Sequence, residues 1–282
     1  MPMGFPSYLS IGPKSLGDGH AVTVRVVDDP AALAERMAHE MAEVIRNAVA
    51  EGRSPTLIIP VGPVDQFPLL ADLVNREGLS LRETLLINMD EYLTDAGEWV
   101  PVDHPLSFRG FMDRKFYRLI DPALAPPPEL RQFPDPRRPE EIQAAIDRRG
   151  GVDACFGGIG INGHMAFNEP PEPGEKMSSE VFASLPTRVL SLARETRTIN
   201  ANTVGGSLDV IPHRCITVGM REILAARRLR FYCNRPWQSA VIRRVLHGSV
   251  SPACPASFLR MHPDAAVTIT RLVAEPPQIA LR

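Results

Sequence analysis

The spacing of apolar positions along this chain switches repeatedly between a period near two, short unbroken runs, and a period near 3.6, and each switch predicts an element. Val22 to Val27 alternates apolar and polar residues, as a strand does. From Asp29 or Pro30 to about Glu51, apolar residues fall at Leu33, Met37, Met41 and Val44, the spacing of a helix whose start carries an Asp cap and a proline. Leu57-Ile58-Ile59 is wholly apolar and predicts a central parallel strand buried on both faces. Leu69 to Glu77 predicts a helix, Thr84 to Asn88 a strand, 93–106 a loop, and Phe108 to Leu119 a helix. A proline-rich connector covers 121–139, and Glu140 to Arg149 returns to helical spacing. Val152 to Phe156 predicts another buried strand, closed by Gly157-Gly158-Ile159-Gly160. The segment 170–186, with several Pro, Gly and Ser, reads as a mobile loop. Strands are then expected at Cys215 to Val218, Leu229 to Cys233 and Ala266 to Ile269, with a helix from Trp237 to Leu246.

Strands alternating with helices imply an α/β fold: a mainly parallel sheet with helices on both faces. Residues 1–20 are rich in Gly, Pro and Ser, lack periodicity and read as a flexible arm. No repeat and no shift of composition divides 21–282, which is read as one domain.

Composition changes this picture little. Lys plus Arg is 31 and Asp plus Glu 33, a net charge of −2, and this near balance gives no hint of a nucleic-acid or membrane-surface partner. Cys155, Cys215, Cys233 and Cys254 form no C-x-x-C pair, and three of them lie in or beside apolar runs. Together with the lack of a signal-peptide pattern or a membrane-length apolar stretch, this points to a reduced, cytoplasmic protein.

In a sheet of this kind ligands bind beyond the carboxyl ends of the strands, and three such ends carry unusual residues. One is Asn88-Met89-Asp90-Glu91-Tyr92. Two adjacent carboxylates after a buried strand need solvent or partners, so they mark either a helix cap or turn, or a site. The second runs Gly158-Ile159-Gly160-Ile161-Asn162-Gly163-His164-Met165-Ala166-Phe167-Asn168-Glu169-Pro170. Its glycines permit close backbone approach to a ligand, and a His five residues before a Glu is either structural or a proton-transfer pair. The third is Pro60-Val61-Gly62-Pro63-Val64-Asp65.

Taken together, N-M-D-E-Y and the downstream G-x-G-x-N-G-H-x-A-F-N-E-P resemble the glucosamine-6-phosphate deaminase/isomerase family. His104-Pro105-x-Ser107-Phe108, Glu195-Thr196-Arg197 with Asn200, Ile216-Thr217-Val218-Gly219 and His262-Pro263 resemble further segments of that family, so the likeness spans about residues 22–270. The resemblance implies a Rossmann-like sheet and a reaction without metal or cofactor. In that reaction an amino-sugar ring opens, a proton moves between C2 and C1, and ammonia leaves. Carried over, it makes Asp90 the base for the C2/C1 proton and His164 the group assisting ring opening, oriented by Glu169 and Asn162. Gly62, Glu91, Gly158, Gly160, Gly163 and Arg197 are the substrate-binding residues it implies.

The chain departs from the family in two places. An acid is usual where this sequence has Asn162; an amide orients His164 but supplies neither charge nor proton. The family's phosphate turn, rich in Thr, Ser and Gly, is replaced by Val61-Gly62-Pro63-Val64-Asp65, its Arg falls on Asn202 and its Lys on Gln238. Pro63 lacks a donor. The expected substrate is therefore an amino sugar without a phosphate at C6, the alternative being an anion held by Arg109, Arg197 or Arg235. Leu190 stands where an activating phosphate site would need a base, so activation of that kind is not expected. A sugar lactonase or a non-catalytic sugar-binding protein are the competing readings. The partner expected is a small sugar, with neither nucleic acid nor membrane, and a homo-oligomer is compatible with the chain.

Overall fold

A computed structural model of the chain describes residues 4–63 and 65–280. β1 (Thr23–Val27) leads into α1 (Pro30–Ala50), β2 (Thr56–Ile59) into α2 (Gln66–Glu77), and β3 (Leu85–Asn88) is followed at once by β4 (Asp90–Leu93). Next come α3 (Phe108–Lys115), the two-residue β5 (Arg131–Gln132), α4 (Glu141–Arg148) and β6 (Ala154–Gly157). The chain continues through α5 (Ser179–Ala183), β7 (Arg188–Ser191), α6 (Arg194–Ala201), β8 (Arg214–Thr217) and α7 (Met220–Leu224). It closes with β9 (Leu229–Cys233), α8 (Gln238–His247), β10 (Ala265–Thr270) and α9 (Arg271–Ala274).

Seven strands form one sheet in the order β1-β10-β9-β6-β2-β3-β5, and every neighbouring pair in it is parallel. The unbroken apolar runs of β2, β3 and β6 are buried along their whole length, because helices cover both faces. On one face Leu33, Met37 and Met41 of α1 meet Phe67, Leu70 and Val74 of α2. On the other, Ile142 and Ile146 of α4 and Val241, Ile242 and Val245 of α8 belong to one continuous apolar core. The Asp29 carboxylate accepts from the Ala32 amide at 2.9 Å and starts α1 where the sequence placed it.

Three expectations need correction. The run Cys215 to Val218 does not join the parallel sheet: β8 is the centre of a second, antiparallel sheet in the order β4-β8-β7. An apolar run of four residues carries no mark of which sheet it enters. Neither β4, whose residues are all buried, nor β7, half-exposed along most of its length, shows the alternation that would reveal a strand. The segment 170–186 is not loop throughout, since it contains α5, whose Phe182 is fully buried against Phe258.

The third correction concerns the arm. Residues 1–3 lie outside the described residues, but 4–20 are docked rather than loose. Leu16 is fully buried, and Ile11 packs against the same core. The buried Arg243 guanidinium donates to the carbonyls of Ile11 and Ser239, both at 2.9 Å, and to those of Val273 and Ala274. The Leu16 carbonyl lies 3.2 Å from His20 Nε2 and 3.1 Å from His247 Nε2. Docking by single anchor residues leaves no period for sequence reading to detect. Leu16→Ala should therefore lower the unfolding free energy by about 2–5 kcal/mol in urea titration; a change under about 0.5 kcal/mol, as at a surface site, would show that the arm is not anchored there.

Candidate functional site

The site is assembled where the chain passes from the large sheet to the small one. Met89 is the junction. Its amide donates to Ile59 O in the parallel sheet at 2.9 Å, and its carbonyl accepts from Val218 N, just past β8, at 2.7 Å. Asp90 then opens β4, facing Thr217 across the antiparallel ladder. The loop after β6 is tied to the same strand end: Phe167 N donates to Thr217 Oγ1 at 3.0 Å, and Asn168 Nδ2 to Val218 O at 2.9 Å. One strand end thus holds both Asp90 and the loop that carries His164.

The alternation of a strand separates the two adjacent carboxylates. Asp90 faces a cleft of about 380 Å³, lined also by His164, Tyr92, Gly62, Gly158 and Gly160. Asp90 is 8 % exposed. Burial, with a smaller contribution from the Glu91 charge, pushes its carboxyl well above the ordinary range.

Glu91 points the other way, fully buried, and does not line the cleft; its expected substrate-binding role is a helix-capping role instead. Its carboxylate accepts from Phe108 N at 3.0 Å, Arg109 N at 2.9 Å and Ser107 Oγ at 3.0 Å, at the positive end of α3. The Ser107 hydroxyl in turn accepts from Gly110 N at 3.1 Å, so the His104-to-Phe108 motif is a cap.

His164 sits against Gly160, where a Cβ would overlap the imidazole, so that position requires glycine. Behind the ring, Nδ1 lies 2.9 Å from Asn162 Oδ1, 3.2 Å from Thr196 Oγ1 and 3.4 Å from Glu169 Oε2. Asn162 Nδ2 donates to Glu169 Oε2 at 2.7 Å. Burial would raise the Glu169 carboxyl, but the hydrogen bond and charge of His164, with the bonds from Asn162 and Thr196, outweigh it and hold the group below its usual value. Asn162 and Glu169 do not line the cleft; they stand behind the imidazole. Gly163 is also off the cleft: it turns the loop at φ +91°, where a Cβ would come within 2.6 Å of Cys254 Sγ.

Of the three arginines proposed as anion ligands, two are committed elsewhere. Arg109 donates to Glu91 and to Val100 O, and lies 4.4 Å over the Trp99 ring. Arg197, expected to bind substrate, instead donates to Leu208 O at 3.2 Å and Ile211 O at 3.4 Å, bracing the loop behind the cleft. Arg235 does line the cleft, and its guanidinium makes no hydrogen bond or ion pair among the described residues. Gln238 lines it too, with its amide engaged at both ends: Oε1 accepts from Arg235 N at 2.7 Å and Nε2 donates to Ile159 O at 2.8 Å. Val64, part of the expected turn, lies outside the described residues.

Sequence reading missed Tyr92, Thr196 and Asn200 as parts of the site. Tyr92 shares the cleft with Asp90 and its hydroxyl accepts from Asn200 Nδ2 at 2.9 Å. The period of two along Asp90-Glu91-Tyr92 contains that signal once the segment is known to be a strand. The hydroxyl of Thr196, fully buried, reaches His164 from α6, a link that no local pattern announces.

No family model matches the chain. Individual relatives do. A glucosamine-6-phosphate deaminase of Mycolicibacterium smegmatis is 34 % identical over 207 residues, covering 71 % of this chain and 72 % of that protein. One of Beutenbergia cavernae is 30 % identical over 249 residues, covering 85 % and 88 %. Among solved structures, a monomeric glucosamine-6-phosphate deaminase superposes with a TM-score of 0.75 at 26 % identity, covering 90 % of this chain and 99 % of that one. A 6-phosphogluconolactonase from Shewanella baltica, with a TM-score of 0.61 and 18 % identity over 89 % of this chain and all of that one, shares the fold alone. With this coverage and identity, and with Asp90 and His164 facing one cleft, the chain belongs to the glucosamine-6-phosphate deaminase family.

Proposed function

We propose that the chain is a deaminating aldose–ketose isomerase acting on an amino sugar that carries no phosphate at C6. The observation that carries the reaction is the opening of the Asp90 carboxylate and the His164 imidazole onto one cleft. Ring opening needs a proton taken from the anomeric hydroxyl and one delivered to the ring oxygen, a task for an imidazole at the cleft wall. The C2 proton then passes to C1 through a carboxylate that lifts it off and returns it one carbon away. Burial suits Asp90 to this, because a poorly solvated carboxylate is a stronger base once ionised. The resulting C2 imine takes up water and releases ammonia, leaving the ketose, so that sugar and water are consumed for ketose and ammonia.

The end of the cleft formed by the loops after β2 and β9 supports the change of substrate. Pro60 and Pro63, two of the residues lining it, have no N–H to offer an anion. Gln238, where the family has a lysine, is already bonded at both ends of its amide. A phosphate dianion there would meet a single exposed guanidinium, that of Arg235, where anion sites use several converging donors.

Ammonia release tests the reaction. Asp90→Asn should lower kcat by about 10²–10⁴-fold with KM little changed; an unchanged kcat would remove Asp90 from the proton path. The proton acceptor must be ionised, and its carboxyl sits above the ordinary range, so the rate should fall on the acid side at a pH higher than that of a solvated aspartate. A plateau extending down to about pH 4, near the ordinary carboxylate value, would contradict this. On glucosamine 6-phosphate kcat/KM should lie below about 10⁴ M⁻¹ s⁻¹, with an unphosphorylated amino sugar preferred. Turnover of the phosphate ester at ordinary enzyme rates would overturn the substrate while leaving the reaction standing.

A further inference from the structure

We propose, resting on the reading of this cleft as an amino-sugar site, that the group at C6 is a carboxylate held by Arg235 and that the substrate class is a 2-amino-2-deoxyhexuronate. Arg235 is the only lysine or arginine among the described residues that line the cleft. Its guanidinium is uncommitted among the described residues, whereas those of Arg109 and Arg197 are bonded to protein groups. Asn234, the residue before it, also lines the cleft, and its side-chain amide makes no hydrogen bond among the described residues. A hydroxymethyl group at C6 gives this cation no charge to pair with.

Charge and shape decide which anion fits. A guanidinium carries one positive charge and a planar fork of N–H donors. A carboxylate matches it in both respects, with one negative charge and two coplanar oxygens that accept two parallel hydrogen bonds. The Asn234 amide offers a neutral donor to a remaining lone pair. A phosphate dianion brings two charges and three oxygens, and finds no second cation here. Pro60 and Pro63 have no N–H, and the Gln238 amide is bonded at both ends. A sulfate ester carries one charge, but its three oxygens are tetrahedral and a planar fork engages them less completely.

The sheet puts the cation at the right remove from the acid. Asp90 follows β3 and Arg235 follows β9, and β2 and β6 lie between those two strands. Three strand spacings of about 4.8 Å set the two strand ends about 14 Å apart. Both side chains line the cleft that bridges this distance. In a pyranose, C6 leaves the ring at C5, which stands across the ring from C2. A sugar with C1 and C2 toward Asp90 therefore presents C6 toward Arg235. The carboxylate contributes binding and takes no part in the proton transfer: aminouronate and water give ketouronate and ammonia.

Ammonia release from 2-amino-2-deoxyhexuronate, the free hexosamine, its 6-phosphate and its 6-sulfate, each in the gluco and galacto configuration, tests the proposal. Wild type should have its highest kcat/KM on a uronate, about 10–10²-fold above the free hexosamine, the range expected of a hydrogen bond between charged groups. Arg235→Gln should lower the ratio of these two kcat/KM values by a similar factor, with most of the loss in KM. Arg235→Lys, which keeps the charge without the fork, should recover part of it. A preference for the free hexosamine, the phosphate or the sulfate, or an unchanged ratio in Arg235→Gln, would overturn the carboxylate. If no sugar releases ammonia, calorimetric titration of wild type and Arg235→Gln with uronate and free hexosamine still decides. Tighter binding of the uronate that Arg235→Gln abolishes leaves the carboxylate standing and removes the proposed reaction. Equal binding of the two sugars removes the carboxylate.

Discussion

The two backbone hydrogen bonds of Met89 are the constraint on which the site depends. One holds the chain to β2 in the large sheet and the other to the residue after β8 in the small sheet. Between them the backbone must leave a buried parallel ladder and enter an antiparallel one within a single residue. That turn places Asp90 at the start of a strand rather than at the end of one. A carboxylate at the mouth of a parallel strand would be solvated; at this junction it is nearly enclosed, and its proton affinity rises for that reason. The loop after β6 is bonded to the same two residues that brace this junction, Thr217 and Val218. The separation of Asp90 from His164 is thus set by the ladder of β8, a rigid element, and not by the loops themselves.

Charge around this junction is arranged in two directions. Glu91 is a fully buried carboxylate and Glu169 a partly buried one, and each is satisfied away from the cleft, the first by the amino end of α3 and the second by Asn162 and His164. The Asp90 carboxyl makes no hydrogen bond among the described residues, although its backbone lies in the β4/β8 ladder. A buried acid without partners is unfavourable for stability unless it is neutral. Among the described residues of this cleft Asp90 is such an acid, next to Glu91, whose carboxylate is fully bonded. Such a contrast between neighbouring acids is what proton transfer requires and what packing alone would not select.

Much of the fold is legible in the sequence because the parallel strands and long helices have strong periods. β2, β3 and β6 are short apolar runs and α1 has a clear stripe with a cap, and these fall where the pattern places them. The second sheet is not legible, because β4 and β7 show no alternation and β8 reads like any other buried strand. The docked arm escapes for a similar reason: its attachment lies in Leu16, Ile11 and the distant Arg243, none of them periodic. For the site, string resemblance located Asp90, His164 and the glycine turns that line the cleft, but could not say which way each side chain faces. Glu91 and Arg197 were misplaced on that account: one caps a helix, the other braces a loop, and both facts depend on bonds to residues remote in sequence.

The cleft is built from two groups of loops. The junction at Met89 and the loop after β6 bring Asp90 and His164 to the cleft, and the loops after β2 and β9 line it as well. These loops join different strands and share few bonds with the junction, the chief link being Gln238 to Ile159. A change at one end therefore need not disturb the other. The Gln238 amide ties the two together, accepting from Arg235 N at one end and donating to Ile159 O at the other. On the proposed function, binding of a remote substituent and transfer of a proton draw on different interactions, so the two groups of loops are free to change separately.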